Sequence, residues 1–99
     1  MPKKLPPIHP GEVLHTILAD ASLSANQAAL AMRIPANRLT AIIQGKRSIS
    51  ADTALRLARY FGTSAEMWIN LQAKYDLETA QDLLAKKVAS EVRPLNHAA

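Results

Sequence analysis

The chain has 99 residues, a mass of 10.8 kDa and a formal charge of +4, enough for one domain around one core and too little for two. An apolar share of 48% against 20% charged excludes intrinsic disorder, and the absence of cysteine excludes a disulfide framework or a thiolate zinc site, which points to a cytoplasmic protein. The longest charge-free stretch, Ala21 to Met32, falls far short of a membrane span, and Met1 to Pro10, with Lys3, Lys4 and four prolines, does not lead into the apolar run of a secretory signal.

No segment alternates apolar and polar residues in the manner of a strand, and eighteen alanines favour helix, so the expected fold class is all-α with no β-sheet. A first helix is predicted from Pro10, a favoured first-turn residue, to about Ala21, burying Val13, Leu14, Ile17 and Leu18. Ser24 and Gln27 form a capping box that opens a second helix with Ala28, Ala29 and Met32 inward. Ile34 and Pro35 interrupt the pattern, and a third helix runs from Pro35 or Ala36 to Gln44 with Leu39, Ile42 and Ile43 as its apolar side. Gly45 supplies a left-handed C-cap, Lys46 to Ile49 form a loop, and Ser50 caps a fourth helix that is expected to bury Ala54, Leu55, Ala58 and Phe61 before Gly62 ends it.

Ser64 caps a fifth helix with Met67, Trp68 and Leu71 inward. Beyond it, Ala73, Leu77, Ala80, Leu84 and Val88 recur at spacings of four, three, four and four, a helical stripe near the heptad period. With five helices already closing a core, this extension has nothing left to pack on, and a second subunit would bury Leu77, Ala80, Leu84 and Val88 in a two-fold homodimer. The chain thus divides into an N-terminal arm (1–9), a five-helix domain (10–72), a C-terminal helical extension (73–95) and a frayed tail (96–99).

The excess charge is localised. Residues 1–20 and 51–99 are each neutral, whereas residues 21–50 carry Arg33, Arg38, Lys46 and Arg47 and no acid, the pattern of a polyanion-binding face. Enzyme chemistry finds no support. His9, His15 and His97 are not at chelating spacing, Asp76, Glu78 and Asp82 sit among lysines on a polar helix face, and the three glycines are isolated at helix ends, which leaves no metal, cofactor or phosphate-loop site and no catalytic residue. The second helix, the break at Arg33 and Ile34, and the third helix have the dimensions of a helix-turn-helix, whose second helix enters the DNA major groove. The basic window coincides with it.

The series Leu23-Ser24-Ala25-Asn26-Gln27-Ala28-Ala29, Ile34-Pro35, Asn37-Arg38-Leu39-Thr40 and Gly45-Lys46-Arg47-Ser48-Ile49-Ser50 resembles the Cro/C1-type (XRE, lambda-repressor-like) helix-turn-helix domain. More narrowly, His9-Pro10-Gly11-Glu12, Asp52-Thr53-Ala54-Leu55-Arg56-Leu57, Phe61-Gly62-Thr63-Ser64, Trp68, Asn70-Leu71-Gln72 and Tyr75-Asp76-Leu77 look like the HigA family of toxin–antitoxin antitoxins, some of which are called virulence-associated protein I. The resemblance implies a cytoplasmic bacterial repressor. It would bind double-stranded operator DNA as a homodimer and neutralise a HigB-type toxin, a RelE-like mRNA-cleaving ribonuclease. A stand-alone phage-type or metabolic repressor, and a protein-interaction module that no longer binds DNA, are the alternatives. This chain departs from the general pattern at Ala28 and Arg33, where the domain has leucine and glycine, and at Leu30 and Ala31, where many relatives are polar, so an apolar patch is expected on the second helix.

Carried over by position, Ala36, Asn37, Arg38, Thr40, Ala41 and Gln44 would face the bases: Asn37 as a bidentate amide for adenine, Arg38 as a fork for guanine or a grip on phosphate, Ala36 or Ala41 against a thymine methyl. Ser24, Asn26 and Gln27, with Arg33, Lys46, Arg47 and Ser48, suit phosphate.

Overall fold

The computed structural model describes residues 5–95 and places five helices in them: α1 (Pro10–Asp20), α2 (Ala25–Met32), α3 (Ala36–Ile43), α4 (Ala51–Phe61) and α5 (Ala65–Glu91). No strand occurs among the described residues. Each start has a local cause. His9 caps α1: its Nδ1 accepts from the Gly11 N–H at 2.9 Å while its own N–H donates to Glu12 Oε2 at 3.2 Å. The same reciprocal box joins Ser24 and Gln27 at α2, and the hydroxyls of Ser50 and Ser64 cap α4 and α5. His9 is therefore buried as part of the first helix rather than loose in an N-terminal arm, and its ring meets the edge of Tyr75 at 4.8 Å.

The core is built from Leu14 and Leu18 of α1, Ala28, Ala29 and Met32 of α2, Leu39 and Ile42 of α3, Ala54 and Leu57 of α4 and Trp68 of α5, closed by Ile34 and Ile49 from the connections. Ala28, which stands where the general domain has leucine, is fully buried in this core. Gly11 marks another close approach: a Cβ there would collide with the Ile42 carbonyl, so α1 and α3 cross in contact only because the position is glycine.

One inward residue differs from expectation. Leu55 is 64% exposed and Leu57 is fully buried, because α4 turns Thr53, Ala54 and Leu57 toward the core, a face on which 55 cannot lie.

Helix α5 is longer than a helix and a separate extension. It continues unbroken through residues 72 and 73 for 27 residues, and Gln72, at that point, is buried. Every residue from 81 to 95 is exposed, so the tail does not fold back on the domain, and the molecule measures 56 × 32 × 21 Å. Ala73, grouped with the stripe by spacing, is exposed. The tail expected to fray (96–99) lies outside the described residues.

Candidate nucleic-acid interface

The turn between α2 and α3 is built by Arg33, which adopts the left-handed conformation (φ 59°, ψ 42°) usually reserved for glycine. This lets the Ile34 N–H return to the Ala29 carbonyl at 3.1 Å and the Ile34 side chain enter the core. Pro35 then starts α3 with its fixed φ. At the far end Gly45 (φ 75°) repeats the device, with the Lys46 N–H on the Ala41 carbonyl at 2.9 Å, and sends Lys46, Arg47 and Ser48 outward, all exposed.

Between these two turns α3 buries Leu39 and Ile42 and exposes Ala36, Asn37, Thr40 and Gln44, with Ala41 half-buried. Thr40 Oγ1 donates to the Ala36 carbonyl at 3.0 Å, which leaves its oxygen lone pairs free to accept. Thr40 and Gln44 share a shallow depression with Leu23 and Ala25 at the start of α2 and with His15 and Ala19 of α1. The exposed side of α3 and the N-terminus of α2, where Ser24, Asn26 and Gln27 are exposed, are thereby brought together. His15, weighed in the sequence only as a metal ligand, joins them because α1 crosses α3 there.

Arg38 stands apart. Its Nη1 donates to Asp52 Oδ2 at 3.0 Å, across to the first turn of α4, and its side chain is 26% exposed. The same carboxylate accepts from Arg56 Nε at 3.1 and 3.2 Å, and Arg56 Nη1 donates to the Met32 carbonyl at 3.0 Å. One acid and two guanidinium groups thus tie α4 to the last turn of α2 and the first turn of α3. The Arg56 hydrogen bond is the largest influence on Asp52 and desolvation, pushing upward, the second; the charge of Arg56 and the hydrogen bond and charge of Arg38 tip the balance and hold the carboxyl below the usual range. The acid-free window of residues 21–50 therefore has its counter-charge two residues past its edge. Arg38 keeps guanidinium donors beyond the one that Asp52 engages.

Gln72 was missed as well, since its partner is 23 residues away. Its Oε1 accepts from the buried Ile49 N–H at 2.8 Å and its Nε2 donates to Asp76 Oδ1 at 2.9 Å, so α5 anchors the loop that displays Lys46 to Ser48. The apolar patch expected on α2 is present, with Leu30 77% exposed beside exposed Ala31. No cluster of His, Asp or Glu suited to a metal ion occurs among the described residues, and no described helix is long and apolar enough to cross a membrane.

A helix-turn-helix family model matches residues 14–68, from the buried Leu14 to the buried Trp68. The chain is 46% identical over 79 residues to virulence-associated protein I of Dichelobacter nodosus, a span covering 79% of this chain and 73% of that protein. An addiction module antidote protein of a HigA family from Coxiella burnetii superposes with a TM-score of 0.85 at 52% identity, over 91% of this chain and 99% of that one. The chain belongs to the HigA family of helix-turn-helix proteins. The Pseudomonas aeruginosa antitoxin HigA, solved with the higBA promoter, superposes with a TM-score of 0.87 at 43% identity, again over 91% of this chain and 99% of that one. HigA-family helix-turn-helix proteins are not enzymes. The surface around α3 presents exposed, mostly short side chains, with cations at its margins.

Proposed function

We propose that this HigA-family chain is a cytoplasmic repressor and antitoxin that binds its own operator as a homodimer and neutralises a HigB-type, RelE-like mRNA-cleaving toxin. The observation that carries the reading is the nearly full-length likeness to an antitoxin HigA solved with its promoter. The surface agrees with it. Asn37, Thr40, Ala41 and Gln44, with Ala36 at the edge, have the size and chemistry to read base edges from a helix in the major groove. Ser24, Asn26 and Gln27 at the N-terminus of α2, Arg33 at the turn, and Lys46, Arg47 and Ser48 after α3 supply the phosphate contacts that set register. Arg38 contributes a flank contact whose direction Asp52 fixes. Leu77, Ala80, Leu84 and Val88 form the dimer seam on α5, with Leu77, Leu84 and Val88 exposed and Ala80 half-buried.

The test is fluorescence anisotropy of the whole chain on a duplex from upstream of its own gene, over a range of salt. Tight binding that falls steeply with salt and exceeds binding to scrambled duplex is expected; absent or salt-insensitive binding overturns the repressor reading. Co-expression with the neighbouring reading frame, followed by pull-down and an mRNA-cleavage assay, tests the antitoxin reading. A chain that binds operator and neither retains nor inhibits the neighbour is a stand-alone repressor.

A further inference from the structure

We infer that His15 of α1 is a titratable contact to a DNA phosphate, so that operator binding takes up a proton and tightens as pH falls. The inference rests on the repressor reading above and deepens it by adding a residue outside the helix-turn-helix. His15 is exposed and lines a shallow depression with Thr40 and Gln44 of α3, over a floor of Leu18, Leu23 and Ile43. Thr40 and Gln44 stand one turn apart on the exposed side of α3, so a duplex read by that helix runs past the imidazole. No hydrogen bond or ion pair engages His15 among the described residues, which leaves both ring nitrogens open to a ligand.

Position and chemistry choose phosphate over base. A helix seated in the major groove has the sugar–phosphate backbone along its flanks, and the elements beside it supply backbone contacts. His15 is such a flank residue: it belongs to α1, which crosses α3, and Ala25 in the first turn of α2 borders the same depression. The apolar floor suits a deoxyribose ring. With the Thr40 hydroxyl proton committed to the Ala36 carbonyl, the donors at the rim are the Gln44 amide and the imidazole. Helix α1 contains no Lys or Arg, so His15 is the side chain through which it can turn positive.

The charges around the ring leave this role to DNA. On α1 the acids are Glu12, one turn before and hydrogen-bonded to the His9 N–H at 3.2 Å, and Asp20, five residues on. Helices α2 and α3 bring no acid; Arg38 is engaged by Asp52 at 3.0 Å, and Arg33, Lys46 and Arg47 lie beyond the two ends of α3. Helix α5 meets α1 on its other side, where Val13 lies beside Leu71, Lys74 and Glu78. A phosphate against the ring favours imidazolium, and histidine is the side chain that ordinarily changes charge between about pH 5 and 8. Because binding stabilises the protonated form, affinity rises as pH falls.

The test is anisotropy of the whole chain on its upstream duplex at about pH 8 and about pH 5.5, with His15→Gln and His15→Lys beside the wild type. The position is exposed, so both variants keep the fold. The wild type is expected to bind several-fold more tightly at the lower pH, on operator and on scrambled duplex alike, with a salt slope steeper by about 1. His15→Gln should lose that gain, and His15→Lys should hold the tighter binding at both pH values. His9 and His97 are the same in all three proteins. Wild-type binding that is equal at the two pH values, or a gain that His15→Gln retains, overturns the role of His15 and leaves the repressor reading standing. A gain confined to one base variant of the operator makes His15 a base reader and overturns the phosphate contact. Absence of binding at both pH values overturns the repressor reading and this inference together.

Discussion

Arg38 on α3 and Asp52 on α4 are fourteen residues apart in sequence and 3.0 Å apart in space. Asp52 also takes the Arg56 guanidinium, so its ionised form is favoured in the folded chain and its carboxyl lies below the usual carboxylate range. A depressed carboxyl contributes stability at every pH above its unfolded value, near 4, and that contribution is lost as pH falls through the lower folded value. Urea midpoints measured at pH 7 and at pH 3 and below should therefore fall further for the wild type than for Asp52→Asn. Equal losses in the two proteins would show that the carboxylate is not coupled to folding.

The exposed face of α3 and the loop after it should separate in their effects on DNA. Asn37→Ala is expected to cost about 1–3 kcal/mol of operator affinity and to relax choice at one base pair. Lys46→Ala should weaken specific and scrambled duplexes alike and lower the salt slope by about 1. Anisotropy titrations against a set of single-base operator variants read both, and a uniform loss for Asn37→Ala would reassign that side chain to the backbone.

Gly11 and Gly62 should respond to alanine for different reasons. At Gly11 the added methyl meets the Ile42 carbonyl, and overpacking of this kind costs about 1–3 kcal/mol. At Gly62 there is open space and only the left-handed backbone (φ 72°) resists, a cost of about 1 kcal/mol. Urea denaturation of both variants should rank Gly11→Ala as the more damaging. The reverse order would mean that α1 moves off α3 without penalty.

Gln72→Leu keeps the volume of the side chain and removes the acceptor from the Ile49 N–H. A buried donor left without a partner costs about 1–3 kcal/mol. Hydrogen exchange at Ile49 should accelerate along with the drop in urea midpoint, and unchanged exchange would show that water replaces the amide there.

Arg33→Gly should split stability from binding. Glycine relieves the left-handed strain at φ 59° and should stabilise the chain by about 0.5–1 kcal/mol. The same change removes a cation from the turn and should weaken DNA binding with a smaller salt slope. A variant more stable and equally tight on DNA would take Arg33 out of the phosphate contacts.

Sequence alone determined the local events. Pro10, the Ser24–Gln27 box, Ser50, Ser64, Gly45 and Gly62 act within four residues of themselves, so the five helix starts and the ends of α3 and α4 are legible without a fold, whereas the unbroken run of α5 through residues 72 and 73 is not. Leu39 and Ile42 are legible as core because α3 is apolar on one side, and Ala28, Ala29 and Met32 from their helical spacing, although Leu30 and Ala31 make the other side of α2 apolar as well. On α4, leucines at 55 and 57 gave two defensible faces, and only packing against the other helices chose Leu57. His9 leaves a trace in Glu12, three residues on, but histidine is an unusual cap, so the box is plain only in the structure. Asp52 on Arg38, Arg56 on the Met32 carbonyl and Gln72 on the Ile49 N–H join residues 14, 24 and 23 apart. Such pairs have no period to betray them, since their distance is set by how whole helices cross, and it is these tertiary pairs that fix how α3 and its basic loop are held.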